Sequence, residues 1–126
     1  VIAKDTLSQI KGPTVTHFAS GRVLKAAALL SQTGTAGVGV GCEESLADLK
    51  KELYGKLTVI GNLNGLGMCS WDRDTTFMNV KKSIKEAAKG GGFILSDMHG
   101  ELPFQVKDEV LEAVRDAVFE FGVYQT

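Results

Sequence analysis

The chain is poor in the features that mark several classes of function. It has two cysteines, Cys42 and Cys69, in 126 residues, too few for a disulfide framework. It has no run of lysine or arginine and a formal net charge of −1, so electrostatics give no case for nucleic acid as a partner. No apolar stretch approaches the length of a membrane span, so no membrane partner is expected. No charged-then-apolar leader opens the sequence, which starts on Val1 rather than Met, as a processed or partial chain would. Thiols without a secretory leader give the expectation of a cytoplasmic protein. No linker, charge block or low-complexity segment interrupts the chain, so residues 1–126 are expected to form a single domain.

What is present is an ordinary globular composition, 44% hydrophobic and 23% charged, on a chain long enough to bury one core. After a short leading segment, one unit recurs four times: a short apolar run, a polar turn, then an amphipathic helix. The first run is Val15 to Phe18, after the breaker Gly12-Pro13, and its helix turns Val23, Ala26, Ala27 and Leu30 to one face. The second run is Ala36 to Gly41; its helix starts at the N-cap Ser45, with Asp48 three residues on, and buries Leu46, Leu49 and Leu53. The third is Leu57 to Leu63, followed by a loop from Asn64 to Asp72. Asp72 or Asp74 then caps a helix burying Phe77, Val80, Ile84 and Ala87, which Gly90-Gly91-Gly92 ends. The fourth run is Phe93 to Leu95, and its helix buries Val106, Val110, Ala113, Val114, Ala117 and Phe121.

Strict alternation of strand and helix means parallel strands in an α/β fold. Two architectures fit: an open doubly wound sheet, or four βα units of a (β/α)8 barrel, which complete would need about 250 residues. In both, function gathers at the C-terminal ends of the strands. Here those ends carry His17 and Ser20, then Cys42, Glu43 and Glu44, then Asn62 and Asn64, then Asp97, His99 and Glu101. The opposite ends carry Gly34, Gly55 and Gly90 to Gly92, which read as helix stops without a titratable cluster. Each polar residue also has a plain structural use. Asp97 suits a turn or a helix cap, Asn62 and Asn64 suit turns, and Glu43 and Glu44 suit a helix N-terminus. Their joint occurrence on one rim is what marks a site.

Three stretches carry a resemblance: Thr16 to Gly21 (THFASG), Val59 to Gly65 (VIGNLNG), and Gly90 to Val106 (GGGFILSDMHGELPFQV). In order and spacing they resemble the C-terminal half of the uroporphyrinogen decarboxylase superfamily. The resemblance implies a (β/α)8 barrel of which these are the last four units, the N-terminal half being absent or supplied by another chain. A half barrel would expose two sheet edges and the barrel interior, so pairing with that missing half or with a second copy is expected.

Two activities follow from the resemblance. One branch removes acetate carboxyls from a tetrapyrrole without metal or organic cofactor. There His99 falls where the branch has a substrate-pocket histidine, and Asp97 would fix its tautomer. In that reading His17, Ser20, Asn62, Asn64 and Glu101 line the substrate. The catalytic aspartate and the carboxylate-gripping arginines would come from the other half, since this chain has only Arg22, Arg73 and Arg115. The other branch moves a methyl group from a corrinoid protein to a thiol and binds zinc through a His-x-Cys motif. His17 matches its first ligand, Ala19 stands where the motif has cysteine, and His99, Cys42 and Glu43 are the remaining metal candidates. A third reading, from a different class, is a binding or scaffold half with structural histidines.

Overall fold

The structure, a computed structural model, describes residues 2–18, 21–98 and 100–123. A leading helix α1 (Ile2–Leu7) buries none of its residues. Strand β1 (Val15–His17) follows, then a 3-10 turn (Leu24–Ala26) running into the short helix α2 (Ala27–Leu30). The next unit is β2 (Gly37–Gly39) and α3 (Leu46–Leu53). Strand β3 (Thr58–Leu63) leads through a one-turn helix α4 (Gly65–Met68) to α5 (Arg73–Ala87). Strand β4 (Phe93–Asp97) and α6 (Asp108–Phe121) complete the order.

The four strands are parallel and lie side by side in sequence order, β1-β2-β3-β4. A doubly wound sheet reverses its strand order part-way, at the point where its ligands bind. This sheet has no such reversal, which leaves four consecutive βα units of a (β/α)8 barrel.

Local chemistry sets the helices. Ser45 accepts the Asp48 N–H at 3.2 Å and starts α3. Asp72 accepts the Thr75 N–H at 2.8 Å and starts α5. Hydrogen bonding to Thr75 holds the Asp72 carboxyl below its ordinary range, because it favours the ionised form. After α5 the chain passes through Gly90, Gly91 and Gly92 with φ of 79°, 75° and 66°, a left-handed path that admits little but glycine. The Lys50 ammonium donates to the Gly91 carbonyl and pins this turn against α3. Burial of Lys50 lowers its pKa, since a charge is less stable away from water.

Register decides which side of each strand is covered. Thr16, Val38, Val59 and Phe93 are paired in one row across the sheet. Val38 and Val59 are fully buried, in a core with Leu46, Leu49, Leu53 and Ala87, and Phe93 packs against it. A second core gathers Leu63, Met68, Val80, Val110 and Ala117 between β3, β4, α5 and α6. Phe77 and Phe121 meet there edge to face, 6.2 Å between ring centres. Ile84 and Val114, expected on buried helix faces, pack against this core half-buried.

The alternate residues face the other way, into what a complete barrel would enclose: Val15, Gly37 and Thr58 in one row, and His17, Gly39, Ile60 and Ile94 in the next. Val15 is 56% exposed and Ile94 52% exposed, so among the described residues nothing covers these two side chains.

Two expectations from the sequence need correction. The stretch from Asn64 to Asp72 is not all loop: Asn64 caps α4, accepting the Gly67 N–H at 3.0 Å. The first helix is shorter and starts as a 3-10 turn, with Ala26 and Leu30 only partly buried. Its start is set from outside: the Glu44 carboxylate accepts the backbone N–H of Val23 at 2.9 Å and of Leu24 at 3.1 Å.

Candidate functional site

The strand ends form a rim, but its residues fall into three groups. The first is a polar cavity of about 390 Å³ between the β2–α3 loop, the end of β3 and one face of α5. Cys42, Glu43, Asn62 and Asn64 line it, with Lys82 and Glu86 from α5. Asn62 holds it open. Its side-chain amide donates to the carbonyls of Gly41 at 3.0 Å and Glu44 at 3.1 Å, so β3 ties down the loop that carries Cys42 and Glu43. Gly61 lets β3 approach this closely: its φ is 137°, and a Cβ there would lie 2.7 Å from the Val40 carbonyl oxygen.

Within this cavity Cys42 is a poor nucleophile. Its thiol lies 3.9 Å from a Glu43 carboxylate oxygen. Burial first, and the Glu43 charge second, push its pKa above the ordinary thiol value, so it stays protonated at neutral pH. Glu44 is spoken for by the amides of Val23 and Leu24 and acts as a structural clamp.

The second group is His17 alone. Its register partner is Gly39, and its ring lies across that glycine on the open inner face of the sheet. The third group centres on Asp97, at the end of β4. Both its carboxylate oxygens accept the Gly100 N–H, at 3.1 and 3.0 Å, and its Oδ1 accepts the Ser96 hydroxyl at 3.5 Å. Asp97 therefore fixes the turn that leads to Gly100, as an Asx turn does. It also lines an apolar groove of about 480 Å³ with Leu63, Leu95 and Leu102. Glu101 is exposed in the loop after it. Ser20 and His99, both expected at this rim, lie outside the described residues, as does Ala19.

Sequence reasoning missed the α5 wall of the cavity, Asn79, Lys82, Ser83 and Glu86. The signal was there to read: these four recur at helical spacing on a face that the apolar residues of α5 leave polar.

Two of the three arginines are engaged elsewhere. Arg73 pairs with Asp116 at 2.8 Å and Arg115 with the same residue at 2.7 Å, between α5 and α6. Neither lines the cavity, whose one lining cation is Lys82.

The family model for uroporphyrinogen decarboxylase (URO-D) matches residues 2–121. The chain belongs to the uroporphyrinogen decarboxylase family. Among solved structures it is similar to a methyltransferase from Methanosarcina mazei, with a TM-score of 0.79 and 20% identity over 96% of this chain. At that identity the likeness is one of fold. The chain spans 35% of that methyltransferase's length. No curated protein matches it.

The metal candidates named from the sequence can be checked against the structure. Among the described residues, no group of three His, Cys, Asp or Glu side chains is placed to hold an ion. A catalytic zinc takes about three protein ligands. The described donors therefore do not fit a zinc ion; His17 stands on the inner face, and Cys42 and Glu43 stand in the cavity beside α5. Also among the described residues, no helix is long and apolar enough to cross a membrane.

Proposed function

We propose that this chain is the C-terminal half of a (β/α)8 barrel enzyme of the uroporphyrinogen decarboxylase type, and that its strand ends form one side of a pocket for a tetrapyrrole-related ligand. The observation that carries this is the uncovered inner face, with His17 on it at the strand ends, in a chain whose residues 2–121 match the family. The missing half, or a second copy, would pack against the apolar inner face and complete the barrel. His17, at the C-terminal end of β1, then stands at the barrel mouth, where ligands of this architecture bind.

In this reading the work of this half is binding and proton handling. Loss of CO2 leaves electron density on the carbon that carried it, and that carbon must take up a proton. His99 would supply a proton or hydrogen bond to the ligand, with Asp97 fixing its tautomer. His17 contacts the ligand from β1, while Asn62 keeps the neighbouring loop in place. Ser20, Asn64 and Glu101 are the remaining candidates for contact with the substrate. Most of the groups that grip several carboxylates would come from the other half, since Asp116 holds Arg73 and Arg115 and leaves Arg22 as the one further arginine. No metal or organic cofactor is needed, and the reaction suits the cytoplasm.

One observation favours a second reading, methyl transfer from a corrinoid protein to a thiol. The cavity is lined by Glu43, Glu44 and Glu86 against a single lysine, a poor match for a polycarboxylate. Two measurements on the full protein separate these readings. Tetrapyrrole binding is followed by absorbance, and metal content by mass spectrometry, each for wild type beside His17→Ala. Tetrapyrrole binding that weakens in the variant supports the decarboxylase-type pocket. Stoichiometric zinc that His17→Ala loses replaces that reading with methyl transfer. Neither ligand, in protein that folds normally, leaves the scaffold reading.

A further inference from the structure

We propose that Gly39 is a positioning residue for His17: its missing side chain is the socket that holds the imidazole edge-on against β2, with Nδ1 turned to the strand and Nε2 turned away from it. The role in function rests on the reading of His17 as a ligand-facing group; the contact itself does not.

Glycine inside a strand is unfavourable, because it adds backbone freedom and packs nothing. A strand glycine therefore has a local reason. Several glycines of this chain have a backbone one, a positive φ; Gly39 is not among them. Space is the reason at Gly39. A Cβ there would sit 2.1 Å from His17 Nδ1, and 3.1 Å from both Cγ and Cε1. No real side chain tolerates the first distance. The two equal distances say more. The ring presents its Nδ1 corner to Gly39, with Cγ and Cε1 on either side, so Nε2 and Cδ2 are its far atoms.

The backbone locks the same arrangement. The Phe18 N–H donates to the Gly39 carbonyl at 2.9 Å, which fixes the end of β1 to β2 one residue past His17. At Gly37, two residues earlier on the same face, a Cβ would lie 3.1 Å from the Thr58 carbonyl oxygen, 3.4 Å from Ile60 Cδ1 and 3.5 Å from Val15 Cγ2, none as close as His17 Nδ1 to Gly39. Along β2, then, neighbouring strands supply the inner layer, and Gly39 is where the layer is a titratable ring.

The test uses full-length protein with ring-labelled histidine. In wild type, nuclear Overhauser contacts are expected between the His17 ring and the Gly39 Hα protons, with nitrogen shifts that differ between Nδ1 and Nε2. Gly39→Ala is expected to abolish those contacts and lower the melting temperature. In a His17→Ala background the same substitution should lower it by less than half as much, because the clash is gone. If Gly39→Ala does not fold, the wild-type contacts and the double variant Gly39→Ala/His17→Ala still decide the matter. A full penalty in the His17→Ala background, or no contact in wild type, would overturn the proposal. Where wild type binds a tetrapyrrole, Gly39→Ala should weaken binding about as much as His17→Ala, on the order of tenfold for one lost hydrogen bond. Unchanged binding in Gly39→Ala would overturn the positioning role. Absence of any tetrapyrrole binding would remove the proposed function, while the contacts and the thermal comparison would still judge Gly39.

Discussion

Val59 and Ile60 are adjacent in β3, yet Val59 is sealed under the helices while Ile60 looks onto the uncovered inner face. The same contrast runs along the sheet. On the helix side, Val38, Val59, Leu49 and Leu53 form a dry core that excludes water from both strands and helices. On the inner side, Val15 and Ile94 remain about half exposed, and β2 contributes only glycines. One face holds this chain together. The other is apolar without stabilising anything described here, which is the condition of a surface made to be covered.

The largest expected effect tests that contrast at its strong end. Leu49→Ala should cost about 3 kcal/mol in urea unfolding, because it empties a fully buried site. Ile94→Ala sharpens the comparison. In the full protein it should cost about 2 kcal/mol, as a core deletion does, because the rest of the barrel covers it. A cost within about 0.5 kcal/mol, as for a surface residue, would mean that the inner face stays open and would break the half-barrel reading.

Next in size comes the clamp between units. Glu44→Ala leaves the amides of Val23 and Leu24 without their acceptor and should cost about 2 kcal/mol. Glu44→Gln, which keeps one oxygen, should cost roughly half of that. Hydrogen exchange at those two amides is expected to quicken in the same order.

The smallest effect concerns reactivity alone. Burial and Glu43 both raise the Cys42 pKa, so less thiolate is present at neutral pH than for an ordinary cysteine. Alkylation by iodoacetamide at pH 7.5 should be slow, rise with pH, and quicken in Glu43→Gln, since removing the neighbouring negative charge raises the thiolate fraction. A rate above that of a free cysteine would mark Cys42 as activated and return it to the list of nucleophiles.

The elements were legible in the sequence wherever period and cap agreed. Ser45 with Leu46, Leu49 and Leu53 marked α3, and Asp72 with Val80 and Ala87 marked α5. The short helix at Gly65–Met68 was not legible, because a one-turn helix rich in glycine has no apolar period and reads as a turn. At the rim, the residue types were legible and their partners were not. Asn62 and Asn64 look alike in sequence, yet one braces a neighbouring loop and the other caps a helix. Asp97 is as much the anchor of a turn as a member of a site.

By itself the sequence determined the alternation of strand and helix, the parallel sense of the strands, the family motifs and the end of each strand where polar residues collect. These are local properties, set by spacing along the chain. Only the tertiary structure decided that the strand order never reverses, that one face of the sheet lies open, and that the rim divides into a polar cavity, an imidazole on glycine and a turn-bound carboxylate. Those depend on which residues meet across strands, and contacts between residues about 20 apart in sequence, such as His17 with Gly39, leave no periodic trace in the chain.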